Sequence, residues 1–441
     1  MSSPGIVQTS LLGGSRPLGQ SVYNQALNNL FGILANLEGL ALVLYFFRDA
    51  CAGALRYYLS ILHLDTLWFI PDLTALACII IFIYRYAIMG KNLIAVLTVL
   101  YMGLSLYIGY LFLEQAAGAA SALKMIAPIF VGFCFCSRDL NEYKRLLLVV
   151  QGLFYLSVFG VILSSFVQLP WVGFSYEAIG GVKRSAATLW WSANEQRLAG
   201  FAADNTMAGF FILITFVLTS VRRGLLWVFI WGPIGFYALR LTTSKTNHAV
   251  FAIYIICLVV VRLLPEHYRF KFVHRLACFS FLTILIPISL IVVFSGIDLT
   301  QLSPSLYSMW DRINNSWQLP FVYLTELMPF GFVSGCGLGC FNYPQELFSN
   351  KVSYYVPVDN FYIGTYLMFG PIFVVFMALV IRTICTTKDI YKLTVVFVMN
   401  LFTVTVLSYG PASGLLMIGF AFSNVFSKFN QSKRVTRASL F

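Results

Sequence analysis

Twelve runs of mainly apolar residues alternate with polar connections along this chain, near 27–47, 66–84, 92–112, 119–136, 146–168, 198–220, 224–240, 247–263, 276–296, 359–381, 392–409 and 411–427. Within each run the apolar positions are continuous, without the alternation of a half-buried strand. A run of about 20 residues spans the roughly 30 Å hydrocarbon core at 1.5 Å per helical residue, and a helix satisfies its own backbone there. Barrel strands would read instead as alternating segments of about ten residues. The pattern predicts an all-α fold, a polytopic transmembrane helical bundle of about twelve spans forming one membrane domain over 1–441. Two polar interruptions stand out. One, 168–197, separates spans five and six; the other, 297–358, predicts a large extramembrane loop between spans nine and ten. No internal repeat is visible, which argues against the paired halves of many secondary transporters.

Composition agrees. Hydrophobic residues make up 59% of the 441 and charged residues 10%, too few charges to cover a soluble protein of this size. The polar first 25 residues lack a charged segment followed by a short apolar core, so no cleavable signal is expected. A net charge of +12 raises the question of nucleic acid, and the placement of the charges answers it. With the N-terminus inside, 19 of the 29 Lys and Arg fall on the cytoplasmic side and 10 on the opposite side. That asymmetry is the positive-inside bias, so both termini are expected inside and both long polar stretches outside, with no nucleic-acid partner. Seven of the nine cysteines lie in or near spans and read as small packing residues. Cys336 and Cys340 share the large loop, where an oxidising compartment permits a disulfide and free thiols are equally compatible. His63, His248, His267 and His274 form no metal-ligand spacing, and no metal or other cofactor is expected.

The ten outer cations are the informative minority. Arg197 opens span six, followed by Asp204-Asn205; Arg240 ends span seven, Lys245 follows in the turn, and Arg312 lies in the large loop. Each taken singly is compatible with snorkelling to the interface. Together they predict a diphosphate site, because guanidinium groups match phosphate oxygens bidentately and stay charged. Trp310-Asp311-Arg312 adds a flat ring beside hydrogen-bonding groups, which suits a sugar as well as an interfacial aromatic belt. The glycines at 331, 335, 337 and 339 read as a tight turn, out of order for a nucleotide fingerprint. Asp359-Asn360 opens span ten, as an N-cap or with Asp359 receiving a proton from a hydroxyl; Glu326 and Glu195 compete for that role. Glu38 and Asp72, acids within spans, read as structural partners of outer-face cations.

These motifs, in this order, resemble the O-antigen ligase/polymerase superfamily of bacterial inner-membrane glycosyltransferases. The likeness rests on Arg197-Leu198-Ala199-Gly200-Phe201 with Asn205, the turn Leu241-Thr242-Thr243-Ser244-Lys245, Trp310-Asp311-Arg312, Pro329-Phe330-Gly331 through Gly339, and Asp359-Asn360-Phe361-Tyr362 with Gly370. It covers about 197–380; the first half resembles the family by topology alone. The resemblance implies transfer of an undecaprenyl-diphosphate-linked glycan at the periplasmic face of the cell inner membrane, without metal or nucleotide. Asp359, Arg312 and Arg197 would be catalytic. Arg240, Lys245, Trp310, Asn205, Asn360, Glu326, Glu195 and Tyr362 would bind substrate. Ligases of the superfamily look like having His-Asn where this chain has Asp359-Asn360. With Lys245 replacing an Arg, that departure favours a repeat-unit polymerase for O-antigen, capsule or exopolysaccharide. Its partners would be the lipid-linked donor and acceptor and a chain-length regulator. The alternatives are a ligase acting on lipid A-core and a lipid-linked oligosaccharide flippase or other transporter.

Overall fold

Each of the twelve apolar runs contains helix in the computed structural model, which describes residues 37–177, 183–188, 190–192, 195–303, 306–348, 358–405 and 411–427. The first described elements are α1 (37–50) and α2 (Ala52–Ile61), then α3 (Ile70–Phe82), α4 (Leu93–Leu113), α5 (Ala116–Phe133) and α6 (Lys144–Ser164). Two antiparallel hairpins follow, β1 (Ser175–Glu177) with β2 (Lys183–Ser185) and β3 (Trp190–Ser192) with β4 (Glu195–Arg197). Then come α7 (Asn205–Ser220), α8 (Leu225–Thr242), α9 (Lys245–Leu263), α10 (Glu266–Ser280) and α11 (Leu285–Phe294). The long connection carries α12 (Tyr307–Asp311), α13 (Leu319–Leu327), α14 (Gly331–Ser334) and α15 (Tyr343–Phe348). The chain closes with α16 (Phe361–Phe369), α17 (Ile372–Ile384), α18 (Ile390–Phe402) and α19 (Ala412–Phe422).

Among the described residues seven helical stretches are long and apolar enough to cross a bilayer: Asp65–Ile88, Leu93–Leu113, Ala116–Phe133, Lys144–Ser164, Leu225–Thr242, Lys245–Leu263 and Glu266–Phe294. Helices α7, α17, α18 and the stretch Ala412–Phe426 are apolar but shorter. The chain is a membrane-embedded helical protein. The short helices α7, α18 and α19 are buried on nearly every side and form the centre of the bundle, as expected of helices apolar all round. Around them α4 and the α10–α11 stretch present mostly exposed apolar faces.

Ion pairs fix the direction of the first helices. Glu38 at the start of α1 meets Arg85, at 3.6 Å, and Arg138. Arg48 at its far end meets Asp72 at 2.9 Å, so α1 and α3 run antiparallel. The bundle thus has a Glu38 end and an Arg48 end. Asp72 pairs with two of the predicted outer cations, Arg48 and Lys124, as expected. Glu38 does not: its partners Arg85 and Arg138 stand at the opposite end, because Glu38 lies about 15 Å along α1 from Arg48, the residue that meets Asp72.

Three readings change. The 168–197 stretch contains two pairs of short antiparallel strands, which the all-α expectation did not include. Span ten is broken at Gly370, where φ is +66°, into α16 and α17. The glycine-rich part of the long connection is not a surface turn: Cys336, Leu338, Cys340 and Phe341 are fully buried. Helix α16 is about 14 Å long and ends at Gly370, so its last carbonyls fall inside the apolar bundle with no helical partner. The glycine segment supplies the donors. Cys336 N binds Leu367 O at 2.9 Å, Gly337 N binds Met368 O at 3.1 Å, and Tyr101 of α4 donates its hydroxyl to Phe369 O at 2.7 Å. Leu338 N bonds back to Ser105 O of α4 at 2.8 Å, wedging the segment between the two helices. Non-helical backbone survives within a membrane only when enclosed by protein in this way. Cys336 and Cys340 are disulfide-bonded across its tip.

Gly337 shows the tightness of the wedge. Its φ is +87°, and an added Cβ would lie 2.0 Å from Gly109 N, backbone against backbone. Gly337→Ala is expected to lower stability by about 3 kcal/mol, overpacking and left-handed strain combined. Gly296 has φ +77° but open space around it, so Gly296→Ala isolates the strain alone, about 1 kcal/mol. Thermal unfolding of both variants in detergent separates the two contributions; equal shifts would mean that the wedge yields.

Candidate functional site

The predicted site residues whose side chains are described lie toward the Arg48 end of the bundle, with Arg312 and Asp359 paired there. Arg312 opens a π-helical stretch, Arg312–Gln318, between α12 and α13, a backbone irregularity that recurs at functional positions. Its Nε faces Asp359 Oδ2 at 3.7 Å and its Nη1 donates to Ser308 Oγ at 3.0 Å. Asp359 precedes α16, and both side chains remain about one-third exposed. Burial pushes the Asp359 carboxyl above the ordinary carboxylate range, against the pull of the Arg312 guanidinium; Asp311 adds to the rise.

Asn360 caps α16 by accepting from Ile363 N at 3.0 Å, and its amide donates to Thr403 O and Val404 O beyond α18. Tyr362 hydrogen-bonds Asn400 of α18, whose amide reaches Ser280 Oγ of α10 at 2.8 Å. Asn205 donates to Thr242 O at 3.0 Å, joining α7 to the end of α8. The polar atoms of Asn360, Tyr362 and Asn205 are thus engaged in holding helices together around the site.

The remaining predicted residues spread across the same end. Leu198 N bonds Leu241 O at 3.3 Å, which sets the backbone of Arg197 beside that of Arg240. Arg240 and Lys245 are exposed at the facing ends of α8 and α9. Thr246 of α9 shares a 2.5 Å hydrogen bond with Thr405, next to the carbonyls that Asn360 holds. Trp310 is half-buried against Tyr307, with 5.9 Å between ring centres, and Glu326 is exposed on α13. Glu195 falls in β4, and its side chain lies outside the described residues, as do Lys351 and Tyr354-Tyr355.

Two of these cations share a property. The Nε of Arg197 and the Nε of Arg312 are each buried with no hydrogen-bond acceptor among the described residues. A buried N–H without a partner is costly, the more so on a charged group, and such atoms mark positions where a ligand acceptor completes the bonding.

A third buried Nε without an acceptor belongs to Arg56 of α2, which the sequence placed on the outer side but did not single out. Its guanidinium lies 3.6 Å from the Trp68 ring centre and 4.6 Å from that of Tyr176 in β1. Arg184 of β2 covers Tyr343 of α15 at 4.7 Å. Arg48 sits 5.3 Å from the same Trp68 ring, while its charge goes to Asp49 and Asp72. Cations resting on ring faces are partly neutralised without losing the ability to bind an anion. The available signal was membership in the outer minority of Lys and Arg. What the sequence lacked was their convergence from α2, β1, β2 and α15.

Comparisons with family models, with curated proteins and with solved structures return no match. Among the described residues no group of three or more His, Cys, Asp and Glu could hold a metal ion.

Proposed function

We propose that this chain is an inner-membrane glycosyltransferase that polymerises undecaprenyl-diphosphate-linked oligosaccharide repeat units, with twelve spans, cytoplasmic termini and a periplasmic Arg48 end. The observation that carries the proposal is the pair of buried guanidinium Nε atoms, on Arg197 and Arg312, lacking hydrogen-bond acceptors among the described residues, at the end that also holds Asp359. The positive-inside bias and the Cys336–Cys340 disulfide support the assignment of sides. The motifs from Arg197 to Gly370 support the superfamily.

In the proposed reaction an acceptor-sugar hydroxyl attacks the anomeric carbon of the donor's first sugar. The new C–O bond forms as the bond from that carbon to the diphosphate oxygen breaks. The hydroxyl proton passes to Asp359, and undecaprenyl diphosphate departs with the electron pair and the charge. Arg197 and Arg312 stabilise that charge as it develops, with Arg240 and Lys245 nearby at the surface.

The test uses purified protein and undecaprenyl-diphosphate oligosaccharide alone. A polymerase lengthens the lipid-linked glycan and releases undecaprenyl diphosphate. A ligase stays inert until lipid A-core is added, and inertness under both conditions removes the glycosyltransferase proposal. A base must be ionised to work, so the rate should rise with pH through Asp359's inflection, above its ordinary 3.8 because burial disfavours the charged form. Asp359→Asn should flatten that limb along with most of the rate; a limb that survives in the variant assigns it to another group.

A further inference from the structure

The opposite end of the bundle holds a pocket of about 310 Å³ that this function does not use. Its walls are the first turns of α10 and the turn after α17, and its polar lining is Lys271, His274, Arg275, Thr386, Thr387 and Lys388. No carboxylate among the described residues lines it. Asp389, next in sequence, is turned away into the bundle: its Oδ1 accepts from Tyr391 N at 2.9 Å and Lys392 N at 3.2 Å, and its Oδ2 lies 3.8 Å from Lys392 Nζ. His274 Nε2 lies 2.9 Å from Cys385 O, and Cys278 Sγ lies 3.3 Å from Cys385 Sγ, so the two walls are tied together. The hydroxyls of Thr386 and Thr387 both donate to Thr383 O, so the anion-binding groups of the pocket are its three exposed cations, Lys271, Arg275 and Lys388.

Its depth is set by length. The helical stretch Glu266–Phe294 has 29 residues, about 43 Å by helical rise, against a hydrocarbon core of roughly 30 Å. The surplus of about nine residues matches the polar segment 266–275, while 276–294 is apolar. The pocket therefore sits at headgroup level. Lys271, Arg275 and Phe279 follow one another at i+4 on one face of α10, and beyond it come Leu282, in the short 3-10 turn Phe281–Ile284, and Ile286 of α11. Phe279, Leu282 and Ile286 are 66%, 59% and 42% exposed. The series reads, from end to middle, as cation, cation and then bare apolar surface.

We propose that this pocket binds a phosphate group, and that the apolar surface beneath it makes the phosphate that of an anionic phospholipid. The headgroup phosphate lies among Lys271, Arg275 and Lys388, and an acyl chain follows Phe279 to Ile286. Basic pockets between helices at a membrane surface hold acidic headgroups by this combination of charge and apolar contact.

Lipid retention by the full-length protein in neutral detergent, read by native mass spectrometry, tests it. Wild type should retain phosphatidylglycerol in preference to phosphatidylcholine, and K271Q/R275Q/K388Q should lower phosphatidylglycerol affinity about 100-fold, three surface cations together. Thr386 is exposed, so Thr386→Glu adds a repelling charge at little cost to folding and should act in the same direction. Inorganic phosphate is the second probe. If it binds wild type and not the variants while phosphatidylglycerol is not retained, the phosphate site stands and its source is a soluble anion. Unchanged lipid preference in both folded variants, or a wild type that distinguishes neither lipid and binds no phosphate, overturns the proposal.

Discussion

Arg312→Ala is expected to abolish polymer while leaving the protein folded and inserted. A donor aimed at charge that develops only in the transition state contributes about 100- to 1,000-fold to kcat when removed singly. Arg312 has the features of such a donor: a π-helical position, a buried Nε without an acceptor, and a carboxylate neighbour at 3.7 Å. Arg312→Lys keeps the charge but loses the planar fork, so an intermediate rate is expected. The bland alternative is that Arg312 only pairs with Asp359. A charge swap separates the two: Arg312→Asp combined with Asp359→Arg restores a structural ion pair but not a diphosphate clamp. The release of undecaprenyl diphosphate by the purified variants, normalised to folded protein, is the measurement. Wild-type release from Arg312→Ala, or full rescue by the swap, removes Arg312 from the chemistry. Arg197→Ala, with no carboxylate partner among the described residues to confuse the outcome, should show the same loss in kcat.

How far the sequence foretold this follows from what lipid enforces. A 20-residue apolar run has one conformation open to it, so helices arose in every predicted run, including 359–381 with its break at Gly370. The break itself was not legible. Gly370 takes a positive φ because Gly335 and its neighbours occupy the space beside it, and that contact joins residues 35 apart. Asp72 was readable as a buried acid seeking a cation, and Arg48 and Lys124 answer it. Glu38 misled because an acid within a span does not disclose which end its partners occupy. The glycine segment looked like surface because glycine, cysteine and asparagine are polar or neutral by composition. Its burial follows from the need to satisfy Leu367, Met368 and Phe369 carbonyls, which only the three-dimensional break creates. Arg56 stayed hidden for the same reason: a cation on two aromatic rings is defined by rings far off in sequence, Trp68 and Tyr176.

Asp72→Ala is expected to be the most destabilising change outside the site. Asp72 is 8% exposed and serves three partners. Arg48 Nη1 lies 2.9 Å away, Tyr45 donates its hydroxyl at 3.0 Å, and Lys124 Nζ lies at 3.4 Å. Removing one member of a buried pair strands the other charge, at about 3–5 kcal/mol. Two features moderate the loss. Arg48 keeps Asp49 at 3.0 Å, and Lys124, with 38% of its side chain exposed, can turn toward water. Asp49 itself is committed to α19, where its Oδ2 accepts from Ser413 N and Oγ, both at 2.9 Å. Breaking the Asp72 pair therefore loosens α1 from α3 and α5 and, through the shared Arg48, disturbs the hold on α19. Asp72→Asn should cost less than Asp72→Ala, because an amide oxygen still accepts from Tyr45. Arg48→Met/Asp72→Leu should cost less than Asp72→Ala as well, since removing both charges leaves neither desolvated alone. Thermal unfolding in one detergent, with folded yield as the second readout, ranks the three. If Asp72→Ala melts with wild type, or if the double variant is the worst, the network is decoration on a bundle held by apolar packing alone.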